Sequence, residues 1–146
     1  MSSMTAANEK RLYDLLNLFF SVARQANSET AQMLEALDLT GPLANVLWLL
    51  DPARQAPSMR EVADRLCCDP SSLTFLADRL SERGMLERRP DPDNRRIKRL
   101  VLTSRGAEVR RKLIDQTIAR TPLAKLSPLD QETLLTLLTR ASPPNA

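Results

Sequence analysis

The sequence predicts a mostly helical protein with a minor β element, and three observations carry that reading. Aromatic residues are only 3% of the chain and there are 3 glycines, whereas Leu and Ala recur throughout, which favours helix over a sandwich or barrel. Apolar residues repeat at helical spacing over most of the length. The period changes once, after Gly84, where two short runs flank a stretch of charges and prolines. With 146 residues, 42% of them hydrophobic, the chain can build one core of ordinary size.

From Ala6 to Ala26, Leu12, Leu15, Leu16, Phe19, Val22, Ala23 and Ala26 recur at helical spacing, with Leu18 and Phe20 flanking them. The flankers widen the apolar stripe to roughly half the circumference, more than one intramolecular contact requires. An intersubunit helix and a doubly buried core helix both fit. After Thr40-Gly41-Pro42, the segment from Leu43 to Leu50 is almost wholly apolar and too short to span a membrane, so it reads as a central buried helix. Trp48 within it reads as core, with a place in a ligand pocket as the alternative. Pro52 and Pro57 end that helix.

Two short helices follow, each with clear punctuation. Ser58-Met59-Arg60-Glu61 is a capping box, and Met59, Val62, Ala63 and Leu66 form the buried stripe behind it. Asp69-Pro70 repeats the start signal, Leu73, Leu76, Ala77 and Leu80 face inward, and Gly84 suits a left-handed C-terminal cap. Only Cys67 and Cys68 remain between them, so the pair reads as a helix-turn-helix. Met85 to Arg89 and Ile97 to Thr103 are extended candidates around a loop at Pro90 to Arg96. Thr103 caps a long charged helix through about Arg120, with Val109, Leu113, Ile114 and Ile118 on its apolar side, and Pro122 stops or bends it. Ser127-Pro128, with Asp130, starts a last helix carrying Leu134, Leu135, Leu137 and Leu138, followed by a frayed tail from Ser142.

Charge is unevenly placed. Arg79 to Lys112 holds 12 of the 21 basic residues and 5 of the 18 acidic ones, a local excess of +7 against −4 for the remainder. Such a segment suits a polyanion such as nucleic acid or an anionic membrane surface, or simply a solvated helix face. The absence of His excludes His-based metal sites and His-dependent triads. No metal or cofactor is expected. Adjacent Cys67 and Cys68 cannot staple distant segments, which fits a reducing compartment. The N-terminus has no apolar signal core and no stretch approaches a membrane span, so a soluble cytoplasmic protein is expected.

Helix, turn, helix and then a two-stranded ribbon with a basic tip describe a winged helix: a helix fits the major groove, and arginines on a narrow hairpin follow phosphates or enter the minor groove. The stretch MREVADRLCCDPSSLTFLADRLSERGMLERRPDPDNRRIKRLVLTSRG resembles the core of the MarR (multiple antibiotic resistance regulator) family of bacterial transcription factors. DRLSERGMLERR, DPDNRR and LTSRG carry the match. The resemblance implies a winged helix-turn-helix at residues 40–104 within a single domain. Dimerisation helices at 1–38 and 105–142 interlock in a homodimer on pseudopalindromic double-stranded DNA. It also implies a repressor released by a small aromatic or phenolic effector, or by thiol oxidation at Cys67 or Cys68, for which buried packing is the plainer reading.

Carried over residue by residue, DNA contacts fall on Ser71, Ser72, Thr74 and Phe75 of the recognition helix, and on Arg95 and Arg96 of the wing. Arg60 reaches a phosphate or is merely solvated. Phe75 touches a thymine methyl or packs on the wing. Arg95 is assigned to the minor groove, and Arg96 to phosphate or to a wing ion pair with Asp93. Asn94, where many members have Asp, serves the turn. Leu12, Leu15, Leu16, Phe19, Leu134 and Leu138 are the expected dimer contacts. The main alternative is a winged helix that binds a protein partner. An enzyme is disfavoured, because Gly41, Gly84 and Gly106 form no phosphate loop and Asp14, Glu29 and Asp51 have no demanding spacing.

Overall fold

Residues 5–142 are described by the computed structural model. Six α-helices and one two-stranded antiparallel ribbon follow in the order α1 (Ala6–Ala36), α2 (Gly41–Leu49), α3 (Met59–Leu66), α4 (Pro70–Glu82), β1 (Leu86–Pro90), β2 (Lys98–Leu102), α5 (Ser104–Arg120) and α6 (Pro128–Ala141). A 3-10 turn, Pro122–Lys125, joins α5 to α6. The expected frayed tail lies outside the described residues beyond Ser142.

Local chemistry sets most of these boundaries. Side chains of Thr40, Ser58, Asp69, Thr103 and Ser127 each accept from an amide in the first turn of the helix that follows, and Pro42, Pro70 and Pro128 sit where no intrahelical donor is needed. Helix α4 ends in a two-bond left-handed cap: Gly84 N–H donates to Ser81 O, Met85 N–H donates to Leu80 O, and Gly84 has φ +69°. Helix α3 closes in the same way, with Cys67 N–H donating to Asp64 O and Cys68 N–H to Ala63 O. There the left-handed position, φ +50°, is held by Cys67 rather than glycine, at a cost of about 1 kcal/mol.

The core lies among α2, α3, α4, the ribbon and the N-terminal half of α5. Leu47, Leu73, Leu80, Met85, Leu100, Val46 and Val62 are essentially fully buried there, and each large side chain contributes about 1.5–3 kcal/mol of apolar burial. Helix α1 is different. It runs 31 residues, ten beyond the apolar repeat that announced it, yet Met33 near its C-terminus is its buried residue. Leu12, Leu15, Leu16, Leu18, Phe19 and Phe20 stay 42% to 66% exposed within one chain. Trp48 also departs from expectation: α2 turns it outward and leaves it 43% exposed, because Leu43, Ala44, Val46 and Leu47 already occupy the inward side.

Candidate nucleic-acid interface

The recognition surface begins at the α3–α4 turn. Ser58 and Glu61 close the capping box of α3, with Glu61 N–H donating to Ser58 Oγ at 3.2 Å and Ser58 N–H to Glu61 Oε2 at 2.7 Å. These bonds hold the Glu61 carboxyl below its ordinary range, the Ser58 amide contributing most. After the turn, Asp69 caps α4. Leu73, Ala77 and Leu80 are fully buried beneath that helix and Leu76 partly so, which leaves Ser71, Ser72, Thr74 and Phe75 together on its exposed side. Phe75 is 58% exposed, with the Arg79 guanidinium over its ring at 5.3 Å from the centroid. Arg60 lies on the exposed side of α3, and Cys67 is exposed while Cys68 packs partly against the core.

The ribbon pairs Leu86 with Leu102 through Pro90 with Lys98. Its tip is organised by Asp91, a buried carboxylate that receives Asp93 N–H at 2.8 Å and Asn94 N–H at 3.0 Å on one oxygen and the Arg99 guanidinium on the other. Arg99 also donates to Ala56 O at 2.7 Å, and Leu100 N–H donates to Pro57 O, so β2 is tied to the segment before α3. Asn94 closes the turn, its Oδ1 accepting from Arg96 N–H at 3.1 Å and its carbonyl from Ile97 N–H at 2.9 Å. The ion pair of the wing is therefore Asp91–Arg99 and not the expected Asp93–Arg96. Asp93 and Arg96 both point into solvent, whereas Asp91 and Arg99 flank the base of the loop. Bonds to Arg99 first, and then to the two amides, hold the Asp91 carboxyl below the usual aspartate range.

Arg95 and Arg96 are exposed at the tip, and neither has an acidic partner among the described residues. Arg88 of β1 turns back instead. Its guanidinium meets Asp78 at 2.7 Å and donates to the Thr74 carbonyl at 3.2 Å, fastening the wing to the recognition helix. At the other end of the ribbon, Thr103 donates from Oγ1 to Gly84 O and from its amide to Met85 O, and Gly106 packs against that same Met85 carbonyl. Asp91 could have been found from Asp-Pro followed by two residues whose amides it can receive, the usual Asx turn. Arg88 and Gly106 carry no such local signal.

The remaining expected residues lie elsewhere. Leu12, Leu15, Leu16 and Phe19 share the bare face of α1, and Leu134 and Leu138 lie on α6, where they line an apolar cleft of about 300 Å³ with Ile118, Leu123 and Leu126. Among the described residues there is no group of three or more Cys, Asp or Glu placed to hold a metal ion, and no helix is long and apolar enough to cross a membrane.

Residues 39–98 match the family model described as "MarR family". The chain is 31% identical over 77 residues to the HTH-type transcriptional repressor MdtR of Bacillus subtilis. That match takes in 51% of this chain and 50% of MdtR, so the chain spans about half the length of this curated relative. The fold is similar to that of CouR from Rhodococcus jostii bound to p-coumaroyl-CoA, with TM-score 0.77 and 22% identity over 90% of this chain and 93% of that one. It is similar too to a mutant of MepR from S. aureus bound to an oligodeoxyribonucleotide, with TM-score 0.60 and 22% identity over 87% of this chain and 94% of that one.

Proposed function

We propose that this chain, whose residues 39–98 match the MarR family model, is a sequence-specific DNA-binding transcriptional regulator that works as a homodimer. The observation that carries the proposal is a recognition helix with one bare polar face, fastened by Arg88 to a wing whose tip holds two exposed, unpaired arginines. An α-helix of this width enters the major groove, and a stiffened ribbon carries Arg95 to the adjacent minor groove and Arg96 to phosphate. Ser71, Ser72, Thr74 and Phe75 meet base edges, with Arg60 near the backbone.

The bare face of α1 supports the homodimer. Six large apolar side chains left exposed between Leu12 and Phe20 of a long helix are stable in water when a second copy covers them, with the α6 leucines completing the contact. Two copies then present their α4 helices to successive major grooves, roughly 34 Å apart. Repression with release by a small aromatic or phenolic effector is the regulation that the resemblance to this family implies. The test is a salt titration on a duplex retained from a random pool. Affinity should fall steeply with salt, Arg95→Ala should weaken binding and flatten the slope, and Arg96→Ala should reduce the log–log slope by about 0.9, the loss of one phosphate contact. Salt-independent binding would refute the proposal. Exposed Phe75 favours a second reading, a winged helix that docks on a protein, and retention of no duplex by the folded dimer would select it.

A further inference from the structure

The first two turns of α4 carry three hydroxyls on the exposed face, and each already has a use for its proton. Ser71 Oγ donates to Asp69 Oδ1, Ser72 Oγ donates to Asp69 Oδ2 at 2.7 Å, and Thr74 Oγ1 donates to the Pro70 carbonyl at 2.9 Å. A hydroxyl has one donor proton and two acceptor lone pairs. With the proton turned inward, what faces outward is acceptor only. On the main chain Pro70 has no N–H and Ser72 N–H is taken by Asp69 Oδ1 at 2.9 Å, so the acceptor-only character belongs to the three hydroxyls, and Ser71 N–H is the backbone donor this turn still offers.

We infer that Ser71, Ser72 and Thr74 act as acceptor-only readers, selecting base pairs that present an exocyclic amine, adenine N6 or cytosine N4, and disfavouring guanine O6 and N7 at the same places. The inference rests on the DNA-binding reading of α4 and makes Asp69 the residue that sets its specificity without touching a base. Two competitors could draw the hydroxyl protons away. Guanine N7 and O6 are neutral acceptors, weaker than a carboxylate. A phosphate oxygen is charged, but to reach these hydroxyls it must approach the Asp69 carboxylate, and like charges repel. Asp69 stays ionised wherever DNA is double-stranded, because the Ser71 hydroxyl first and then Ser72 hold its carboxyl far below the usual range, at a helix N-terminus that favours a negative charge. The exposed Phe75 ring on the same face suits a thymine methyl, so an A·T pair offers both the amine and the apolar contact.

The experiment uses the full chain and duplexes retained from a random pool. In the bases that α4 covers, adenine is replaced by purine, which lacks the N6 amine, and cytosine by 2-pyrimidinone, which lacks N4. Each deletion at a read position should weaken wild-type binding about three- to tenfold, and should cost nothing further to Ser71→Ala or Ser72→Ala, whichever reads that base. The two arms separate adenine from cytosine as the source of the amine. Asp69→Asn keeps a good helix cap, but its amide can accept from only one hydroxyl, so the other regains a free donor and the pool should shift towards guanine or thymine at one position. Tolerance of every amine deletion by the wild type, or weakening by 7-deazaguanine at these positions, would overturn the inference while leaving DNA binding intact. Retention of no duplex at all would overturn the DNA-binding reading and this inference with it.

Discussion

Replacing Gly106 by Ala probes how firmly the wing is seated on α5. A Cβ built at Gly106 lies 1.9 Å from the Met85 carbonyl oxygen, 2.8 Å from its carbon and 3.2 Å from a Leu102 methyl, so α5 and the start of β1 must separate by about 1.1 Å to reach even 3.0 Å. Neither partner is a flexible side-chain tip. The carbonyl accepts Thr103 N–H at 3.1 Å, and Met85 is 2% exposed. Forcing an extra carbon into such packing costs about 1–3 kcal/mol, loosening the Thr103 bond costs about 1, and Ala returns at most about 1 by its helix preference. The net expectation is a destabilisation of about 1–3 kcal/mol, or roughly 0.5–2 M in the urea midpoint. Gly41→Ala is the control: nothing lies within 4 Å of its Cβ, and its midpoint should stay level or rise slightly. Both belong at one fixed protein concentration, because association adds to apparent stability. A Gly106→Ala midpoint equal to wild type would show that Met85 and α5 are not in the tight contact described.

Arg88→Gln removes the Asp78 ion pair and the bond to the Thr74 carbonyl. An exposed pair of this kind contributes about 0–1 kcal/mol to stability, so thermal melting should change little while DNA affinity falls about three- to tenfold with an unaltered salt slope. A slope reduced by one phosphate contact would mean instead that Arg88 touches DNA. The Asp91 carboxyl is held below its ordinary 3.8 in the folded chain, so its contribution is fully present above that pH and is lost as pH falls through the folded value. Asp91→Asn should therefore lose stability near neutrality and show a flatter acid limb in an acid-unfolding titration. Parallel acid limbs for the two proteins would contradict the assignment. Phe19→Glu places a charge in the bare face of α1, and sedimentation equilibrium should show the mass of a dimer falling to that of one chain. A variant that remains dimeric would place the interface elsewhere.

Much of the local architecture was legible in the chain because its signals act within a few residues. Ser58 and Glu61, Asp69 and Pro70, Thr103 and Ser127 each mark a helix start by a bond spanning three residues, and Gly84 marks a helix end by its φ. The boundaries of the ribbon fell within one residue of expectation, since two short runs, the second alternating, around a proline-rich turn leave few registers. Cys67 gave no comparable signal. A non-glycine residue in left-handed backbone becomes visible only once the α3–α4 turn is closed.

What the amino-acid sequence alone determined was the order of elements, the caps that begin them, the winged-helix arrangement and the +7 segment that contains the wing. Tertiary structure decided the partnerships between residues far apart in the chain. Arg99 pairs with Asp91 and not Asp93 with Arg96, because the register of the ribbon brings the base of the loop together and leaves the tip in water. Trp48 turns outward because four neighbours already fill the inward side of α2. Arg88 reaches Asp78 and Thr74 because packing lays β1 beside α4, and Gly106 is obligatory because Met85 arrives at its Cα. Periodicity assigns a side chain to a face. Which atom it meets there depends on how the faces dock, and that is set by the whole core.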